Sequence, residues 1–223
     1  MQNKINADGL YIEPSVKVGK NVTFYGNSFL FGETVIGDNC VIYPNNFVKD
    51  SVIGAGCTLY PNNYIENSDI EENVKIKSSD IADAKVETGA EVGPFSRLRP
   101  KAVVGKNAKV GNFVEIKNAV LGDGSKASHL TYVGDADIGK DCNIGCGAIF
   151  VNYNGRNKNR SSVGDNSFIG SNCNVIAPVN IGDGAYVCAG TTITENVDGG
   201  DFVIGRSRQE VKKNRAKNYL KEK

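Results

Sequence analysis

The stretch VGDNSFIGSNCNVIAPVNIGDGAYVCAGTTI, residues 163–193, carries an aliphatic residue at every sixth position. These are Val163, Ile169, Val175, Ile181, Val187 and Ile193, and glycine follows three of them, at Gly164, Gly170 and Gly182. The same aliphatic–glycine mark recurs upstream at Ile36–Gly37, Ile53–Gly54, Val92–Gly93, Val104–Gly105, Val110–Gly111, Leu121–Gly122, Val133–Gly134, Ile138–Gly139 and Ile144–Gly145. A helix repeats near 3.6 residues and the strands of a sandwich vary in length, so neither repeats at six. A fixed short period is the mark of a solenoid.

Each six-residue unit reads as a short strand and a corner. The aliphatic residue points inward, and the small residue after it lets the chain round the corner without a Cβ clash. Three units make a triangular coil of about 18 residues, and coils stack roughly 4.8 Å apart through parallel hydrogen bonds. Val163 is therefore predicted to lie over Ile181, Ile169 over Val187, and Val175 over Ile193. Steps of five, as from Val48 to Ile53 or Ile116 to Leu121, are absorbed at corners. One coil cannot bury its own core, so the fold class expected is all-β, a parallel β-helix of about ten stacked coils.

Along the chain, residues 1–14 read as a lead-in, 15–205 as the coils and 206–223 as a tail, a short helix or an extended segment. The tail holds eight Lys/Arg against two acids. It reads as a solvated basic tail, or as one that meets an anionic ligand through Arg206. The segment from Asn152 to Ser161 has no aliphatic residue and is predicted to be a loop thrown out from a corner, a place where function often sits.

Composition narrows the classes. A net charge of +1 over 223 residues lends no support to a nucleic-acid partner, and Tyr219 is the tail's lone aromatic. No uncharged apolar run approaches the ~18–20 residues of a membrane span. The opening MQNKINADGL has no apolar core of a secretory signal, and the cysteine usage, read as reduced buried thiols, leads to the expectation of a cytoplasmic location. Of six cysteines, Cys40, Cys57, Cys142 and Cys173 each lie four residues after an aliphatic marker and are predicted to be small buried thiols. There is no CxxC pair and no zinc spacing, so neither disulfides nor a metal site is expected.

The repeat resembles that of the left-handed β-helix acyltransferases, and longer blocks narrow the likeness. VGPFSRLRP (92–100), VGNFVEIKNAVLGDGSKASHLTYVGDADIG (110–139), NIGCGAIFVNYNGRNK (143–158), FIGSNCNVIAPVNIGDGAYVCAGTTIT (168–194) and IGRSRQE (204–210) are similar to the acetyltransferase half of the bifunctional N-acetylglucosamine-1-phosphate uridyltransferase/glucosamine-1-phosphate acetyltransferases. The resemblance covers about residues 10–210. It implies a left-handed coil, a homotrimer with active sites between subunits, and acetyl-CoA as co-substrate. The family's nucleotidyltransferase domain, with its Gly-rich loop, has no counterpart here. Uridyltransferase activity and its magnesium are therefore not expected, and a separate uridyltransferase is implied.

The same resemblance assigns roles. His129, the chain's lone histidine, matches the proposed general base, and imidazole titrates in the range that suits removing an amine proton. Glu115 is expected to orient its ring. Arg99 and Lys117, joined by Tyr132 and Lys158, match the phosphate site; Asn143 and Asn152 match the sugar-site amides. Asn152 is also a candidate to hold the reacting amine or the oxyanion. Cys146, Tyr153, Ser171, Ala189 and Arg206 match positions along the coenzyme A arm, with Ser171 placed to donate to the departing sulfur. The family usually has alanine at the position of Cys146, which leaves a thiol beside a thioester.

The function expected is acetyl transfer from acetyl-CoA to glucosamine 1-phosphate, giving N-acetylglucosamine 1-phosphate for UDP-N-acetylglucosamine synthesis. Two alternatives stand beside it. One is the same chemistry on another phosphorylated or nucleotide-linked amino sugar. The other is a non-catalytic trimeric scaffold or regulator.

Overall fold

A side of a triangular coil has room for only a few extended residues, and the strands are correspondingly short, two to four residues each. The structure is a computed structural model that describes residues 4–5 and 8–220. Among those residues the strands form three parallel sheets of twelve, eleven and ten strands, called faces A, B and C here. Face A runs from Lys4–Ile5 to Phe202–Val203, face B from Tyr11–Ile12 to Thr192–Ile193, and face C from Lys17–Val18 to Asn180–Ile181. The chain visits A, B and C in turn and makes about eleven coils, against about ten expected. The segment read as a lead-in contributes the strands Lys4–Ile5 and Tyr11–Ile12, which pair with Thr23–Phe24 and Phe29–Leu30.

The stacking is as the period predicts: Val163 pairs with Ile181, Ile169 with Val187 and Val175 with Ile193. Each face thereby buries one apolar ladder, mostly aliphatic, such as Ile42–Leu59–Ile76 on face A and Ile36–Ile53–Ile70 on face C, with Phe24 taking a rung on face A and Phe150 one on face B. Every such side chain contributes about 1.5–3 kcal/mol relative to leaving it in water. Small residues fill the gaps between ladders. Cys40, Cys57, Cys142 and Cys173 occupy four of these places, all at 2% exposure or less. Each thiol donates to a carbonyl of the following coil, on Gly54, Glu71, Gly164 and Cys188, at 3.0–3.2 Å.

Apart from Gly93, the glycines of the aliphatic–glycine marks are required by space and not by φ. At Gly122, an added Cβ would stand 2.3 Å from the carbonyl oxygen of Gly139 in the next coil. Other corners turn through the left-handed region, which asparagine tolerates better than most residues. Asn27, Asn45 and Asn62 sit there and form a ladder of side-chain amides at 3.3 and 3.1 Å. Three bulky residues break this rule at the corner between faces A and B. Phe95, Phe113 and Leu130 hold φ of 57°, 57° and 50° while remaining 56–60% exposed.

The segment 152–160 leaves the coil between Ile149–Val151 and Ser161–Val163, as a loop. Among the described residues beyond Gly205, those whose burial is given are exposed, and Ala216–Asn218 form a 3-10 turn. Among the described residues no helix is long and apolar enough to cross a membrane.

Gly122→Ala is expected to lower stability by more than about 2 kcal/mol, because only backbone lies in the way and backbone cannot yield cheaply. The urea midpoint of the purified variant measures this, and an unchanged midpoint would show that the coil spacing is elastic.

Candidate active site

Stacking turns distant residues into neighbours along a column. Asn112 pairs directly with His129. Continuing the registers Lys126–Asn143–Phe168–Tyr186 places Cys146, Ser171 and Ala189 in succession beyond His129. Backbone bonds follow the same line, from Asn172 N to Cys146 O and from Gly190 N to Ser171 O, both 2.8 Å. Arg206 closes the column, its Nη1 donating to Ala189 O at 3.0 Å. Five of the predicted residues thus share the A/B corner. Three rungs separate His129 from Ala189, a rise of roughly 14 Å.

His129 is exposed, and its Nδ1 lies 2.5 Å from Asn112 Oδ1. A carboxamide oxygen only accepts, so Nδ1 carries the hydrogen and Nε2 presents its lone pair outward. Glu115, expected as the orienting group, instead receives Arg99 Nη1 at 2.8 Å. Asn112 was not singled out in the sequence. The signal was its offset of 17 from His129, one coil shortened by a single residue.

Face B supplies a cationic cluster. Glu115 and Tyr132 are register partners, and Lys117 lies beside Gly134. Arg99 joins them one rung earlier, its N bonded to Ile116 O. Gly134 is buried with no positive φ; a Cβ there would stand 2.4 Å from Tyr132 Oη. The missing side chain is the space into which the tyrosine ring folds. Lys158 of the loop reaches the same patch. Its ammonium, together with partial burial, pulls the Lys117 pKa below its ordinary value, while Asp135 works the other way. Among the described residues neither Lys117 nor Lys158 has an ion pair, so the patch holds excess positive charge.

The loop is a small hairpin. Tyr153 bridges to Lys158, and Asn154 Oδ1 accepts from the N–H groups of Arg156 and Asn157 at 3.0 and 2.8 Å. Tyr153 is exposed, with Oη donating to Gly155 O at 2.7 Å. Arg160 clamps the returning end. It donates Nε to Asp137 Oδ2 at 2.5 Å, Nη2 to Asp137 Oδ1, and Nη1 to Asn118 O at 2.7 Å. The Arg160 guanidinium holds the Asp137 carboxyl below the usual carboxylate range. At the loop's start Asn152 is buried at the B/C corner, where its Nδ2 donates to Asp135 Oδ2. Of the predicted residues, Asn143 stands apart, exposed on face A.

Because the Asp137 pKa is depressed by folding, the clamp is fully made above the unfolded carboxylate value of about 3.9 and is lost only as pH falls through the lower native value. Hydrogen exchange in 153–159 should therefore stay slow at pH 4.5. Arg160→Ala removes the three charge-assisted bonds to Asp137 and Asn118 and should raise tryptic cleavage at Arg156 and Lys158 by at least about tenfold, the loss that one such bond alone would give. Equal cleavage of variant and wild type would show that the hairpin holds without the clamp.

Comparison with known proteins sets these residues in context. Residues 161–195 match the family described as hexapeptide repeat of succinyl-transferase. The bifunctional protein GlmU of Clostridium kluyveri is 43% identical over 209 residues, covering 94% of this chain and 42% of that protein. GlmU of Clostridioides difficile is 45% identical over 208 residues, covering 93% and 42%. The chain thus spans about two-fifths of the length of the curated relatives it matches. Among solved structures, Arabidopsis UDP-N-acetylglucosamine acyltransferase covers 83% of this chain and 66% of its own at 16% identity and a TM-score of 0.49. PerB from Caulobacter crescentus, in complex with CoA and GDP-perosamine, covers 51% and 54% at 24% identity and a TM-score of 0.45. At these scores neither structure bears on the chemistry here.

Proposed function

We propose, for a chain homologous along 94% of its length to part of the GlmU proteins, that it transfers acetyl from acetyl-CoA to the amine of glucosamine 1-phosphate. The observation that carries this reading is the pairing of two features on one face. A patch of Arg99, Lys117 and Lys158 with surplus positive charge lies on face B toward its B/C edge, and the column headed by His129 runs along the A/B edge of the same face. Arginine grips a phosphate through two N–H groups, and lysine adds a point charge. Tyr132 links patch and column, three residues after His129.

His129 Nε2 accepts a proton from the amine as its nitrogen attacks the thioester carbonyl. The C–N bond forms, the C–S bond breaks, and coenzyme A leaves as the thiolate, with Ser171 Oγ donating to its sulfur. The proton on His129 then passes to solvent or to the thiolate. Cys146 and Ala189 line the run of the pantetheine arm, Tyr153 meets it from the loop, and Arg206 lies where a phosphate of the cofactor would end. Asn143 and Asn152 supply amides to the sugar.

The site calls for more than one copy of the chain, as the expected homotrimer provides. His129 and Asn152 stand at opposite edges of face B, about five extended residues or roughly 16 Å apart. One amine cannot touch both within a single chain, so a second copy must supply one of them. The exposed stripe of Phe95, Phe113 and Leu130 beside His129 fits burial against that copy. Holding bulky residues in the left-handed region costs on the order of 1–2 kcal/mol each, a strain that burial in an interface offsets.

The test is release of coenzyme A, followed by thiol reagent, with glucosamine 1-phosphate as acceptor. Free glucosamine, glucosamine 6-phosphate and UDP-glucosamine run in parallel. Turnover should favour glucosamine 1-phosphate and drop about 10²–10⁴-fold in His129→Ala. Silence with every acceptor from a folded oligomer sinks the enzyme reading in favour of a scaffold. Turnover with UDP-glucosamine alone moves the acceptor instead. Phe113→Asp should shift the oligomer toward monomer by sedimentation and abolish turnover with it; an active monomer would refute the shared site.

A further inference from the structure

We propose that Asp135 is a positioning residue whose carboxylate fixes the carboxamide of Asn152 with its nitrogen turned inward and its oxygen turned toward the reacting amine. The orientation rests on geometry alone, whereas its effect on rate rests on the acetyl-transfer reading above.

Asp135 is 7% exposed at the B/C corner, in the left-handed region at φ 47°. Asn118 lies one rung before it and Asn152 one rung after. Both amides turn their nitrogens to it: Asn118 Nδ2 donates to Oδ1 at 2.5 Å, and Asn152 Nδ2 donates to Oδ2. An ionised carboxylate only accepts, so neither amide is free to flip. Burial works to raise the Asp135 pKa. The two amide donors, with the charges of Lys117 and Lys158, outweigh it and hold the group below its ordinary value.

One carboxylate therefore commits two neighbouring amides. Among the described residues, Asn152 Oδ1 has no hydrogen-bond partner, although the residue is 8% exposed. The polar atom left to the site is an acceptor. That decides between the two roles open to Asn152. An oxyanion needs donors aimed at it, whereas an attacking amine needs an acceptor for the hydrogen that His129 does not take. Asn152 holds the amine. The same carboxylate faces Lys117 and Lys158, so it joins the amide and the cationic patch in one fixed array.

The experiment compares wild type with Asp135→Asn, Asn152→Ala and the double variant. An asparagine at 135 can accept from one amide but opposes the other with a donor. Asp135→Asn should lower kcat for glucosamine 1-phosphate about 10²-fold, the effect of misplacing a group by about an ångström, with the KM for acetyl-CoA unchanged. Added to Asn152→Ala it should cost less than about threefold, because the two act as a unit. Additive losses in the cycle overturn the proposal. A second readout does not depend on activity. The side-chain amide resonance of Asn152, identified by its loss in Asn152→Ala, should move in Asp135→Asn. An unmoved resonance overturns the proposal whether or not the protein acetylates anything. A moved resonance in a wild-type protein inactive toward every amino sugar refutes the enzyme reading and leaves the orientation standing. Asp135→Ser serves for the same measurements should the asparagine variant fail to fold.

Discussion

The spacing of parallel backbone hydrogen bonds between coils governs everything else in this protein. At roughly 4.8 Å per rung, each coil lies so close to the next that whatever occupies a position must stack with its counterpart above and below. Inside, this selects one aliphatic residue per side and a thiol, hydroxyl or small group between. At the corners it leaves no room for a Cβ at Gly122, since one placed there would stand 2.3 Å from the neighbouring carbonyl oxygen. Outside, it converts sequence distance into columns. The candidate site is one such column joined to one face.

The departures from regularity gather around that column. Phe95, Phe113 and Leu130 adopt a backbone conformation that asparagine fills elsewhere, and they do so exposed. Gly134 gives up an outward side chain so that Tyr132 can lie over it. The coil opens once, at 152–160, and Arg160 holds the opening by gripping Asp137. Strain, a missing side chain and an inserted hairpin each cost stability in a fold that otherwise repeats. That they cluster within a few rungs of His129 is what a functional site built on a solenoid requires.

The electrostatics follow the same division. Away from the site, ion pairs span adjacent rungs and balance, as Lys85 does with Glu71, whose carboxyl is held at about 2 by that lysine and by Thr88. On face B near the loop, three cations meet two carboxylates, and each carboxylate is already engaged, Glu115 by Arg99 and Asp135 by two amides. The surplus charge is aimed outward, where an anion would meet it.

The chain's period of six was enough to read the fold class, the inward ladders and the burial of Cys40, Cys57, Cys142 and Cys173, because inward positions answer to one local rule of size and polarity. The loop was legible for the same reason, as the stretch that breaks the rule. Resemblance pointed to residues, but not to their partners. Asn112 at the His129 ring, Glu115 on Arg99, Gly134 beneath Tyr132 and Asp135 between two asparagines all depend on which outward residues share a rung. That is set by the accumulated offsets between coils, which vary from 16 to 19 and jump to 25 across the loop. A local pattern says whether a side chain faces in or out. Only the folded stack, by summing every shortened corner, settles what it faces.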